Sequence, residues 1–220
     1  MKLTQRKSYT LIEVLIVMFI IAGLAGLLMP ALQQAKGKAR QAQCISNLHQ
    51  VHLGLELYAE DNNSAYPQTV NVTHWGDGNG WMEKIYRYTK TQLVYKCPGQ
   101  PQELQNDYSY FLNSYSAQTN SGSTAFSRDH IKIPSMFILS GDSTYPFGDL
   151  TDTDKDNKTQ DCLFTWNQQK NFYSKRYHGE QVCVLFADGH LIVSRQFQPD
   201  TMTYSFSEPG VDYGIADPSP

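Results

Sequence analysis

The chain has 220 residues, 18 basic against 21 acidic side chains and a formal net charge of −3. That length suits one membrane segment and one globular domain, and the mildly acidic balance argues against a nucleic-acid partner. Mean hydropathy is negative although one early stretch is almost wholly apolar, so the remainder is distinctly polar, as suits an exported domain.

Residues 1–8 carry Lys2, Arg6 and Lys7 and no acid. From Tyr9 to Leu32 the chain reads YTLIEVLIVMFIIAGLAGLLMPAL. A helix of that length rises about 36 Å, enough to cross a hydrocarbon core of about 30 Å. The basic residues predict a cytoplasmic leader, residues 1–8, and a single-pass anchor in the inner membrane, residues 9–32, with the C-terminal domain in the periplasm. A secretory signal, the competing reading, would have a shorter apolar region and end at a small-residue cleavage site. Here the apolar run passes directly into a helical pattern.

Glu13 lies inside that run. An acid within a membrane segment costs about 2.5–3.5 kcal/mol on insertion scales and is a functional candidate by default. The bland alternative is an acid that reaches back to the interface. A functional role needs a cation at the same depth, which a free α-amino group on Tyr9 of a neighbouring subunit would supply.

Residues 33–64 continue the helical pattern, with Ala35, Ala39, Ala42, Ile45, Leu48, Val51, Leu55 and Tyr58 at three- or four-residue steps. Such an amphipathic helix lays one stripe against a globular head. Gly37 and Gly54 each weaken it by about 1 kcal/mol relative to Ala. His49 and His52 have no acidic or thiol partner at ligand spacing and read as polar-face residues.

Residues 65–205 alternate short β-prone runs with turn residues. Trp81–Tyr88 reads as a short helix, and Asn106–Asn113, Met136–Ser140, Val182–Ala187 and His190–Arg195 as strands. The last two flank Asp188-Gly189, a pair that favours a two-residue type I′ hairpin turn. The fold class is α+β: one long helix packed on a small antiparallel sheet, with residues 206–220 a loosely ordered tail.

The four cysteines, Cys44, Cys97, Cys162 and Cys183, form no close pair of the zinc-binding type, which argues against zinc. An even count in an oxidising compartment is compatible with two disulfides. Of three possible connectivities, Cys44–Cys97 with Cys162–Cys183 is the preferred one. Asp152, Asp154 and Asp156 place three carboxylates two residues apart, a spacing that converges on calcium. An EF-hand would next need Gly and then Glu where Asn157 and Leu163 stand, so this is not a regular EF-hand loop; a solvated acidic loop is the alternative. Trp75, Trp81 and Trp166 could build a sugar-binding platform or simply pack in the core.

Lys7-Ser8-Tyr9-Thr10-Leu11-Ile12-Glu13 resembles the cleavage and methylation motif of type IV pilins and type II secretion pseudopilins. The resemblance implies that prepilin peptidase cuts between Ser8 and Tyr9, with Ser8 standing where the family usually has Gly. It further implies that Tyr9 is methylated and that Glu13 neutralises a neighbour's N-terminus during assembly. Pro30 stands where the family's helix often carries a kinking proline. Implied partners are the peptidase, inner-membrane lipid, copies of the chain or other pseudopilins in a filament, and a secretion or pilus assembly platform. Major pseudopilins also use a calcium-bound C-terminal loop.

His178, followed after nine residues by Asp188-Gly189, resembles the H-x(9)-D-G signature of a large group of bacterial prepilin-like proteins. Cys44-Ile-Ser-Asn-Leu, Tyr58-Ala-Glu-Asp, Cys97-Pro98 and Asp107–Asn113 agree with that likeness. His178 with Asp188 could be a catalytic or metal pair, but no nucleophile motif accompanies it. The preferred reading is structural: Asp188 shapes the turn, and His178 hydrogen-bonds nearby backbone and pins the hairpin. The expectation is thus a non-enzymatic filament subunit, pseudopilin rather than pilin. The alternative is a signal-anchored periplasmic binding module or enzyme that borrows the N-terminus for export.

Overall fold

The computed structural model describes residues 10–68, 80–100, 108–113, 118–119, 122–123, 125–142, 178, 181–195, 198, 200–203 and 205–206. Compact units divide at Ala39/Arg40.

Helix α1 runs from Leu11 to Asp61 and continues through Pro30. Proline has no N–H to give the carbonyl four residues earlier. Within the first unit every large apolar side chain from Leu11 to Leu32 is at least 51% exposed. A contiguous exposed apolar surface of this size marks a helix suited to meeting another apolar surface. It is the one helix among the described residues long and apolar enough to cross a membrane.

Within the second unit α1 buries a single stripe: Cys44, Leu48, Val51, Leu55 and Ala59 are 0% exposed. These follow the helical repeat, and burying each of the larger aliphatic side chains stabilises the head by about 1.5–3 kcal/mol. The stripe is narrower and starts later than the sequence pattern implied. Ala35, Ala39 and Ala42 are exposed, whereas Gln41 and Asn47 are buried. Asn47 earns its place by hydrogen bonding: its Nδ2 donates to the Lys96 carbonyl at 3.0 Å. After Asp61 the chain turns through Asn63 and Ser64, both with positive φ, and the Ser64 N–H closes on the Ala59 carbonyl at 2.8 Å.

Helix α2, Trp81–Thr89, buries Trp81, Met82 and Ile85. It crosses α1 at Gly54, where an added Cβ would meet the Thr89 methyl at 2.9 Å. The propensity cost of Gly54 thus permits a close helix–helix approach. Trp81 is 3% exposed and belongs to the core, so it is unavailable to a sugar platform; Trp75 and Trp166 lie outside the described residues.

Four antiparallel strands form the main sheet in the order β1-β4-β5-β6: β1 is Tyr110–Leu112, β4 Ile138–Asp142, β5 Val182–Phe186 and β6 Leu191–Ser194. Two short strands, β2 (Gln118–Thr119) and β3 (Gly122–Ser123), pair separately. One sheet face, including Tyr110, Leu112, Leu139, Cys183 and Leu185, joins the core containing the α1 stripe. The opposite face, with Phe111, Ile138, Val184 and Phe186, is covered by Met202. This explains why β5 reads as an unbroken apolar run: all five of its residues are buried. The architecture is the α+β layout expected, a long apolar N-terminal helix with a small antiparallel sheet.

The β5–β6 hairpin departs from the expected turn. Phe186 N–H donates to the His190 carbonyl and Gly189 N–H to the Phe186 carbonyl, each at 3.0 Å. A type I′ turn needs positive φ at both central residues, and here Gly189 has it (φ 89°) while Asp188 does not. The loop is therefore three residues long, closed by a left-handed glycine at a bulge.

The Cys44–Cys97 disulfide ties α1 to the segment following the 3-10 turn Gln92–Tyr95, as expected. Cys183 instead carries a free, buried thiol, which corrects the Cys162–Cys183 pairing. The cause is its place in a central strand, where it faces the core and lies among Asp142 and His178. Cys162 lies outside the described residues.

Candidate functional site

Ser8 and Tyr9 lie outside the described residues, as do Asp152, Asp154 and Asp156, so neither the processing site nor the acidic loop has a described geometry. Glu13 does. Its Oε2 accepts from the Thr10 N–H at 2.8 Å and from the Thr10 hydroxyl at 2.9 Å. The Thr10 Oγ1 in turn accepts from the Glu13 N–H at 3.3 Å. This is a capping box: Thr10 is the N-cap of α1 and Glu13 its third helical residue. The acid that looked anomalous in an apolar run satisfies donors that the first helical turn cannot satisfy internally. Both of these bonds to the carboxylate use Oε2.

In the head, three ligand-type side chains converge where β4 and β5 pair. Asp142 ends β4, Cys183 sits on β5, and His178 precedes it. The Cys183 N–H donates to Asp142 Oδ2 at 2.7 Å. His178 Nε2 lies 3.9 Å from the same oxygen and 3.2 Å from the Cys97 sulfur. The Asp142 and His178 side chains are 0% and 2% exposed. Burial pushes the Asp142 carboxyl up to about 7, although the Cys183 N–H pulls the other way. Burial and the neighbouring carboxylate push the Cys183 thiol upward as well. Asp142 Oδ1 is buried with no hydrogen-bond partner among the described residues, a state that costs about 1–3 kcal/mol.

Asp188 lies elsewhere, as the structural reading of the motif allows. Asp188 Oδ1 accepts from the His190 backbone N–H at 3.1 Å and lies 2.6 Å from His190 Nδ1, on the exposed hairpin turn. Gly189 meets His52 of α1. The H-x(9)-D-G residues thus serve two places: His178 the buried cluster, Asp188-Gly189 the turn and its contact with the helix.

Sequence reading missed Asp142 altogether and took His52 for a polar-face residue. Asp142 ends an apolar strand with nothing near it in sequence to mark it; only the pairing of β4 with β5 brings it to Cys183. His49 is exposed as expected, but His52 is half-buried, with Nδ1 buried and without a hydrogen-bond partner among the described residues. His52 stands four residues after Leu48 and three before Leu55, both buried, which puts it on the flank of the stripe, a signal that spacing offers but polarity hides.

No protein-family model matches the chain, and no solved structure does. Two curated relatives do. It is 36% identical over 69 residues to the type II secretion system core protein G of Aeromonas hydrophila, covering 31% of this chain and 48% of that protein. It is 34% identical over 65 residues to the type II secretion system core protein G of Pectobacterium carotovorum subsp. carotovorum, covering 30% and 41%. The matches span less than half the length of these relatives, and the chain is similar to type II secretion core proteins over that stretch.

Proposed function

We propose that this chain is a pseudopilin-type structural subunit, anchored in the inner membrane by α1 and assembled through that helix into a secretion-system filament. One observation carries the reading: α1 presents a continuous apolar surface from Leu11 to Leu32 with Glu13 near its start. The similarity to two type II secretion core proteins supports it. In this proposal prepilin peptidase removes residues 1–8, Tyr9 becomes the methylated N-terminus, and the exposed apolar side chains pack against neighbouring copies or other pseudopilins. Pro30 supplies a point where the helix can bend within the filament. Calcium held by Asp152, Asp154 and Asp156 is part of the proposal.

Glu13 has two functions in this account. Its hydrogen bonds to Thr10 cap the helix, and its charge offsets the α-amino group of a neighbouring subunit. Two substitutions separate them. Gln at position 13 keeps an acceptor for Thr10 and loses the charge; Val loses both. With the assembly machinery present, Glu13→Gln and Glu13→Val both insert in the membrane, and neither assembles. Filament yield from Glu13→Gln equal to that of the unmodified chain would contradict the charge role, and normal assembly of Glu13→Val would sink the filament reading.

A further inference from the structure

The geometry points to a binding site for a zinc-class divalent cation formed by Asp142, His178 and Cys183 inside the head. The ligand atoms of these three residues all lie within 4.8 Å of one another. Zinc takes thiolate, imidazole and carboxylate ligands at about 2.0–2.3 Å, which sets tetrahedral neighbours about 3.3–3.8 Å apart. The 3.9 Å between His178 Nε2 and Asp142 Oδ2 is within a few tenths of an ångström of that spacing.

Three features mark the cluster as more than incidental packing. The donor set mixes one sulfur, one imidazole nitrogen and one carboxylate, which suits a borderline cation rather than calcium or magnesium. All three side chains are withdrawn from water, the cysteine being 0% exposed. Finally, the Asp142 carboxylate is under-satisfied for its burial: Oδ1 has no hydrogen-bond partner among the described residues, and Oδ2, the oxygen nearer His178, accepts the Cys183 N–H and keeps a lone pair for a cation. Cation binding displaces the thiol proton, leaves the Asp142 carboxylate ionised and uses the Nε2 lone pair, so that His178 carries its proton on Nδ1. The bound ion would link β4, β5 and the residue that opens the H-x(9)-D-G motif. Motif spacing could not suggest the site, because its ligands are 36 and 5 positions apart in a pattern no short zinc motif shares. The site stands apart from the way α1 is used, so failure of the filament reading would leave it intact.

Cobalt(II) titration of the full chain in detergent, after chelator treatment that leaves the Cys44–Cys97 disulfide oxidised, tests the proposal. The expected result is a saturable sulfur-to-cobalt charge-transfer absorption, displaced by zinc, in the unmodified chain and in Cys162→Ser. Cys183→Ser abolishes it, and His178→Asn weakens cobalt binding at least tenfold. In the unmodified chain, zinc also slows alkylation of Cys183 at least tenfold relative to chelator, a readout that needs no variant to fold. Absence of thiolate–cobalt absorption, its persistence in Cys183→Ser, or alkylation unaffected by zinc would overturn the site.

Discussion

The ring of His52 on α1 occupies the space that a side chain on Gly189 would need: a Cβ there would come within 2.6 Å of His52 Nε2. Gly189 also has φ 89°. Two independent constraints, one on backbone conformation and one on volume, therefore select glycine at the same position. Gly189→Ala is expected to cost about 2–4 kcal/mol, combining left-handed strain with a displaced ring. Chemical denaturation of the detergent-solubilised chain measures it. If the contact matters, His52→Ala in the same chain restores part of the loss, and the two changes are non-additive. Full additivity would leave only the backbone strain.

Burial also makes His52 an acid-sensitive element of the head. Desolvation lowers its pKa below 6.5, against a smaller opposing pull from Glu56. Above 6.5 the ring is neutral in both folded and unfolded chains. As pH falls through 6.5 the unfolded chain takes up the proton first, so stability is lost on acidification and continues to fall until the folded pKa is reached. His52→Gln, neutral at all these values, is expected to lessen the drop in Tm on acidification. An identical pH dependence in the variant would remove His52 from the acid response.

The Cys44–Cys97 crosslink closes a separation of 53 residues. Chain-entropy arguments give about 4 kcal/mol for a loop of this size. Replacing both cysteines by Ala should lower stability by that order, with the denaturation midpoint then insensitive to reductant. A midpoint equal to that of the unmodified chain would mean the α1 stripe and α2 already fix the geometry.

Calcium binding by Asp152, Asp154 and Asp156 predicts a higher Tm in calcium than after selective calcium removal. Asp154→Asn is expected to lose most of that increment. An unchanged Tm in the parent chain would withdraw the calcium proposal without touching the Asp142–His178–Cys183 cluster, whose ligands are softer.

Local patterns carried much of this fold. The apolar run after Tyr9, the helical repeat through Leu48, Val51 and Leu55, and the paired strands around Asp188-Gly189 were readable because each depends on neighbours close in sequence. What depends on distant partners was not. The turn at Asp188-Gly189 became a three-residue loop because Gly189 alone takes positive φ. Cys183 reads as half of a disulfide until strand pairing sets it against Asp142. Glu13 was legible as an anomaly, but the role of Thr10 as its capping partner was overlooked, although the three-residue spacing of a capping box was present. His178 reads from sequence as a residue that pins the hairpin through backbone, and its proximity to Cys97 and Asp142 depends on strand pairing that sequence does not show.

The most direct test of the central claim is the mature N-terminus, read by intact-mass and N-terminal peptide mass spectrometry on chain isolated from native membranes. The account predicts a chain that begins at methylated Tyr9, with residues 1–8 removed after Ser8. A chain that still begins at Met1 would contradict it, leaving α1 as a plain membrane anchor and the head as the seat of function.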